Sequence, residues 1–221
     1  PIVTFQDSRG EVPSTVHAAS AAAYDHTLDL FNSFRTDPVA ALAPVLAEDP
    51  DFISGHLLMA GMMLSAFDPQ LLAPARASLD LAKASALTPT AREQSLHAAL
   101  RVWAEGNYDA GNRRFDRHLV DHPRDLFALQ FAHLGDLVVG RTTMLRDRIA
   151  RVLGRWSERD AGYGYVLGMQ AFGFEENFDF AQAEELGRRA VALQPHDAWA
   201  IHAVAHVCEM QGRPDDGIRW M

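Results

Sequence analysis

Arg92–Pro123 reads REQSLHAALRVWAEGNYDAGNRRFDRHLVDHP. Its middle, AEGNYDAG (Ala104–Gly111), is a polar turn between two stretches of helical pattern, and Pro123 closes the second. From Pro89 to Pro123 is 34 residues, and Pro123 to Pro195 is 72, one step of 34 and one of 38. Other columns keep the same steps: Ala77, Gly111, Ala183 and Gly217; Gly106, Gly140 and Gly212; Leu129, Leu167 and Ile201. Pro50 closes an earlier block. A period near 34 with small residues, a turn glycine and a closing proline predicts a repeated helix-turn-helix unit.

Working outward, residues 1–50 read as an irregular segment followed by helices. Gly10 and Pro13 break periodicity up to residue 13. Ser14 is expected to cap a helix running to about Arg35. Asp37–Pro38 then opens a short helix ending near Leu46. Residues 51–221 divide into repeats at 51–89, 92–125, 126–163, 164–197 and an incomplete 198–221. The third repeat is four residues long for its period, and the surplus is expected in GRWSERDAGY (Gly154–Tyr163). The fifth turns at Gly212 and leaves Ile218, Trp220 and Met221 as an apolar face. Helical arrays usually end in a polar cap. The expectation is therefore a missing C-terminal half, or a second copy docking there as a homo-oligomer. The first residue is Pro1 and not Met, which fits a processed or incomplete chain.

Composition narrows the function. A net charge of -9 argues against a nucleic-acid binder, which needs a basic footprint to displace counterions. The same charge argues against an anionic membrane surface. No apolar run is long enough to span a bilayer and none reads as a signal peptide. Cys208 is the single cysteine, so no disulfide forms within the chain; it reads as a small core residue. The expectation is an acidic, cytoplasmic protein.

These repeats resemble the tetratricopeptide (TPR) superfamily. That resemblance implies an all-α, TPR-like helical-repeat solenoid of antiparallel helix pairs with a concave groove. In that family, positions 2, 5, 9 and 12 of each first helix face the groove. Here they would be Glu93, Leu96, Leu100 and Trp103; Phe127, Gln130, Leu134 and Leu137; Tyr165, Gly168, Phe172 and Glu175; and Trp199, His202, His206 and Glu209. The groove would be apolar and aromatic, then titratable at its C-terminal end. The Lys, Arg and Asn of a co-chaperone carboxylate clamp are absent from these positions.

His202, His206 and Glu209 follow the spacing i, i+4, i+7, one stripe of a helix. Two imidazoles one turn apart suit a divalent metal, with Glu209 or Glu175 as third ligand or general base. Ala203 stands where a HExxH motif would carry its Glu. A hydrogen-bonded polar groove without metal is the reading the spacing favours over metal, and histidines with no role are the remaining one. Gly168, inside a helix, is either a close-packing position or room for a ligand. Tyr24–Asp25–His26 is polar and aromatic with no partner visible in the sequence.

Four stretches are similar to the tetratricopeptide repeat protein 38 family: REQSLHAAL (Arg92–Leu100), DHPRDLFALQFAH (Asp121–His133), GYVLGMQAFGFEE (Gly164–Glu176) and HDAWAIHAVAHVCEMQG (His196–Gly212). The resemblance runs from about Ser14 to Met221. It implies a chain about twice this long, whose second half carries a further His-rich helix. The expected function is binding or scaffolding: a small apolar ligand or a peptide held by Trp199, Tyr165, Gly168, Phe172, Phe127 and Trp103. The alternative is a metal- or His/Glu-assisted hydrolase or lyase using His202, His206, Glu209 and Glu175. No cofactor is named by the sequence beyond that possible divalent metal.

Overall fold

A computed structural model describes residues 5–221. Among the described residues are twelve α-helices, a single-turn 3-10 helix and no strand, and 72% of those residues are helical. The fold is all-α. The helices group into two compact units, one ending at Gly135 and one spanning Asp136–Met221.

The first unit contains α1 (Ala18–Ser33), α2 (Pro38–Glu48), α3 (Ile53–Ser65), α4 (Leu72–Ala84), α5 (Ala91–Ala104), α6 (Tyr108–Asp121) and most of α7 (Leu126–Val138). Consecutive helices pack as pairs, α1 with α2, α3 with α4 and α5 with α6, while α3 also packs on α5. One helix of each pair has a chemical start. Asp37 caps α2 by accepting from the Val39 and Ala40 N–H groups. Asp68 caps the 3-10 turn Pro69–Leu71 that leads into α4. Thr90 and Glu93 form a reciprocal capping box on α5. Leu57, Leu58, Leu79, Leu100, Trp103, Phe115 and Phe131 are fully enclosed between these helices.

The second unit contains α8 (Thr142–Leu153), α9 (Tyr163–Glu175), α10 (Phe180–Leu193), α11 (Ala198–Met210) and α12 (Pro214–Trp220). α9 packs on α8, α10 and α11, and α11 on α12. Small residues set the spacing. A Cβ on Gly173 would lie 2.6 Å from the Arg146 backbone, and one on Gly187 2.5 Å from a Val204 methyl. The connection between α8 and α9 covers 154–162, where the surplus length was expected.

One turn recurs in both units. Phe34, Phe67 and Gly106 in the first unit, and Gly140, Phe178 and Gly212 in the second, have φ of 51, 54, 83, 72, 63 and 67°. Each donates its N–H to the carbonyl three residues back. In five of these six turns the following N–H reaches five residues back, as from Asn107 to Val102, Asp179 to Phe174 and Arg213 to Cys208. This is the Schellman termination, which satisfies the last carbonyls of a helix by turning the chain left-handed. After five of them, all but Gly140, the next helix begins within a few residues and packs on the one it follows.

The glycine column of the sequence therefore includes three phenylalanines. An L-residue in this conformation costs roughly 1–2 kcal/mol. At Phe67 the ring packs against Tyr108, centroids 5.3 Å apart. Phe178 is 73% exposed and meets Phe180 edge-on at 6.1 Å, a contact at the surface, so the strain is little offset by burial.

The helix expected from Ser14 starts later, at Ala18. Ser14 does different work: its N–H and hydroxyl both donate to Glu93. Glu93 also accepts from the Ser54 hydroxyl at 2.6 Å and the Thr90 N–H at 2.9 Å. The side chain thus ties the N-terminal segment to α3 and α5. The Asp25 carboxylate pairs with Arg9 at 2.5 Å, extending the same tether.

Phe178→Gly should stabilise the protein by about 0.5–1 kcal/mol, the relief of the left-handed strain less the entropy of an added glycine. Phe67→Gly should not, because it also loses the ring packing. Urea unfolding of the two variants against the parent reads the difference.

Candidate functional site

α9 and α11 lie side by side in the second unit and bring together most of the residues singled out in its sequence. Phe172 packs against Trp199, ring centroids 4.7 Å apart, and against His202 at 5.6 Å. The His202 and His206 rings follow at 4.1 Å. The order along the surface is thus indole, phenyl, imidazole, imidazole. Tyr165, Phe172 and Trp199 are buried, whereas His202 is exposed and His206 half-buried. The aromatic residues form a floor, and the imidazoles are what a solute meets.

Glu175 closes this row. Its Oε1 lies 3.4 Å from His206 Nδ1. Its Oε2 is buried with no hydrogen-bond partner among the described residues. Burial pushes the Glu175 carboxyl up, opposed by His206 and reinforced by Glu176. The His202 pKa is lowered by partial desolvation and then by His206. A neutral imidazole therefore sits beside a His–carboxylate pair that can share one proton.

Glu209 is not part of that group. It is exposed, its side chain makes no hydrogen bond or ion pair among the described residues, and it lines an apolar depression with Ala205, Ile218 and Met221. Glu175, from the neighbouring helix, takes the place beside His206. Among the described residues no three or more His, Cys, Asp or Glu side chains are gathered to hold a metal ion. His202 and His206 supply two nitrogens at most, without an assembled third ligand.

Gly168 faces Asp197. A Cβ there would fall 1.8 Å from Asp197 Oδ2. The glycine makes room for the carboxylate that starts α11, which is the close-packing reading of this position. Asp197 Oδ1 accepts from the Trp199 and Ala200 N–H groups, 3.1 and 3.3 Å. Oδ2 is buried and unpartnered among the described residues. Burial pushes the carboxyl up to about 8, against those two N–H bonds, which pull it down.

Trp103 and Phe127, the other two expected ligand contacts, belong to the first unit and are fully buried. The Trp103 indole N–H donates to Asn112 Oδ1 at 3.1 Å, and its ring meets Phe115 edge-on at 5.5 Å. They act there as core. Cys208 is buried and unpaired, as read from its position.

The first unit also holds a buried polar cluster that periodicity did not single out. Arg92 donates to both oxygens of Asp125, at 2.6 and 3.0 Å, and to the Tyr24 hydroxyl at 3.0 Å. His118 Nε2 lies 2.9 Å from Asp125 Oδ2. Arg92 and His118 hold the Asp125 carboxyl far below its usual range, while burial pushes the Tyr24 phenol up to about 12. Tyr24 thus finds the partner its sequence segment did not reveal. The available signal was that Asp125 and Asp197 share one column, the residue before a first helix.

No known protein-family model matches the chain. The class defined by the structure is an all-α protein of paired helices.

Gly168→Ala should destabilise by about 2–4 kcal/mol, because the methyl displaces a buried cap and not a flexible side-chain end. Thermal unfolding checks this. Asp197 gives a pH signature. Its folded pKa of about 8 exceeds the roughly 3.9 of an unfolded Asp, so the folded state binds the proton more tightly. That stability is complete below about pH 4 and is lost as pH rises through about 8. The Asp197→Asn variant keeps the cap oxygen and should flatten the dependence. The parent should lose more than about 1.4 kcal/mol relative to the variant between about pH 5 and pH 9. Urea unfolding at several pH values measures it.

Proposed function

We propose that this chain is a TPR-like repeat protein, related to the tetratricopeptide repeat protein 38 family and cytoplasmic. We further propose that it holds a small apolar ligand or a peptide at the α9–α11 face. The recurrent turn supports the repeat reading. Gly106 to Gly140 is 34 residues, Gly140 to Phe178 is 38 and Phe178 to Gly212 is 34, the same steps kept by the prolines. A fixed turn at a fixed period is what a stacked helix-pair array requires.

The observation that carries the binding reading is the row Trp199, Phe172, His202, His206. Buried aromatic rings hold an exposed and a half-buried imidazole in register on a packed helix pair. Such a surface presents flat imidazole faces together with directed hydrogen-bond donors and acceptors, held by the aromatic floor beneath, and a few convergent polar groups over an apolar lining are the usual mixture of a ligand site. A neutral His202 avoids the desolvation cost a charged ring would carry beneath an apolar ligand.

The Glu175–His206 pair favours a second reading, a His/Glu-assisted hydrolase or lyase. A desolvated carboxyl with one oxygen unpartnered is the environment in which a general base is tuned toward neutral pH. In that reading Glu175 takes a proton through His206, and His202 polarises the substrate.

The test follows the imidazole NMR signals of His202 and His206 while small aromatic compounds and a peptide library are added. Saturable shifts of both signals are expected, and they should disappear in His202→Ala with the fold unchanged. Binding that persists in that variant, or ligands that shift neither signal, would remove the proposal. Turnover abolished by Glu175→Gln, with binding intact, would favour the enzyme reading.

A further inference from the structure

A second candidate site lies in the first unit and is independent of the α9–α11 face. Ile53, Ala82, Lys83, Pro89, Glu93, Gln94 and His97 line a depression of about 290 Å³ where α3, the end of α4 and the first turns of α5 meet. Ile53, Ala82 and Glu93 form a buried floor, His97 is half-buried, and Lys83 stands exposed at the rim.

Each polar group here has a defined state. Both Glu93 oxygens are saturated by Ser14, Ser54 and Thr90, so the floor carboxylate has no capacity for a ligand. Gln94 donates its amide N–H to the Pro89 carbonyl at 3.1 Å. His97 Nε2 lies 3.0 Å from the Leu79 carbonyl. A carbonyl only accepts, so Nε2 carries the hydrogen and Nδ1 holds the free lone pair. Desolvation lowers the His97 pKa, with Arg101 and Lys83 acting in the same direction and Asp80 and the Leu79 hydrogen bond opposing.

Lys83 is the single lysine among 20 basic residues. It has no ion pair or hydrogen bond among the described residues, although the chain carries a net charge of -9. The neighbouring cation Arg101, by contrast, is paired with Asp80 at 2.9 Å. An unpaired ammonium thus stands at the mouth of an apolar depression whose own carboxylate is filled and lies at the floor.

We propose that this depression binds a small carboxylate with an apolar tail. The tail lies against Ile53, Ala82 and Pro89, and the carboxylate is held at the rim by Lys83 and by His97 once that ring is protonated at Nδ1. The volume suits a short aliphatic or single-ring acid. Charge order sets the polarity of binding: the head group stays beside the free cation and away from Glu93.

Hexanoate is the probe, with hexanamide as its uncharged counterpart, and the full chain is the sample. The His97 imidazole resonance, assigned by its loss in His97→Gln, reports binding. Hexanoate should shift it saturably, with a Kd on the order of 1 mM, and should raise the His97 titration midpoint. Lys83→Ala should weaken binding about tenfold and Lys83→Arg should largely preserve it; Lys83 is exposed and unpaired, so neither variant is expected to affect folding. Absence of a saturable shift would overturn the proposal. So would equal binding of hexanamide, or an unchanged Kd in Lys83→Ala.

Discussion

The architecture depends on a backbone constraint at the end of the first helix of each pair. The last carbonyls of a helix have no partner within it. Here they are satisfied by a chain that turns left-handed and donates back, at Phe34, Phe67, Gly106, Gly140, Phe178 and Gly212. That geometry sends the second helix back along the first, and only then can two amphipathic stripes cover one another. The positive φ is tolerated even where the residue is phenylalanine, because the hydrogen bonds and the packing of the pair outweigh a local strain of roughly 1–2 kcal/mol.

The start of the first helix carries the complementary constraint. A buried aspartate caps α11, as Asp197, and contacts the first turn of α7, as Asp125. The two experience opposite electrostatics. Asp125 is flanked by Arg92, which compensates its charge, and by His118; Tyr24 in turn accepts from Arg92. Asp197 has two backbone N–H groups and, among the described residues, no paired cation, so burial dominates and raises its pKa. The identical sequence role thus yields an ionised keystone in one unit and a protonation-sensitive cap in the other. Gly168 is the cost of the second arrangement, since any side chain there would occupy the space of the carboxylate.

The α9–α11 face shows how such constraints position chemistry. Asp197 fixes the first turn of α11, which places Trp199 on Phe172; one turn later His202 rests on the same ring, and His206 reaches Glu175. The imidazoles are ordered by the aromatic floor beneath them. The half-enclosed setting lowers the basicity of His202 and raises that of Glu175. Opposed shifts in neighbouring groups are what allow proton exchange near neutral pH.

Periodicity alone determined the helical class, the pairs, the turn at Ala104–Gly111 and the placement of the surplus residues before Tyr163. It also put His202 and His206 on one stripe, because a helix repeats every 3.6 residues whatever surrounds it. Tertiary structure decided what spacing cannot carry: that Glu175 and not Glu209 meets His206, that Gly168 serves a buried cap, and that Trp103 and Phe127 are core. Those outcomes depend on the rotation and distance of one helix against the next. Both are set by the volumes of side chains far apart in sequence, such as Gly173 against Arg146 and Gly187 against Val204.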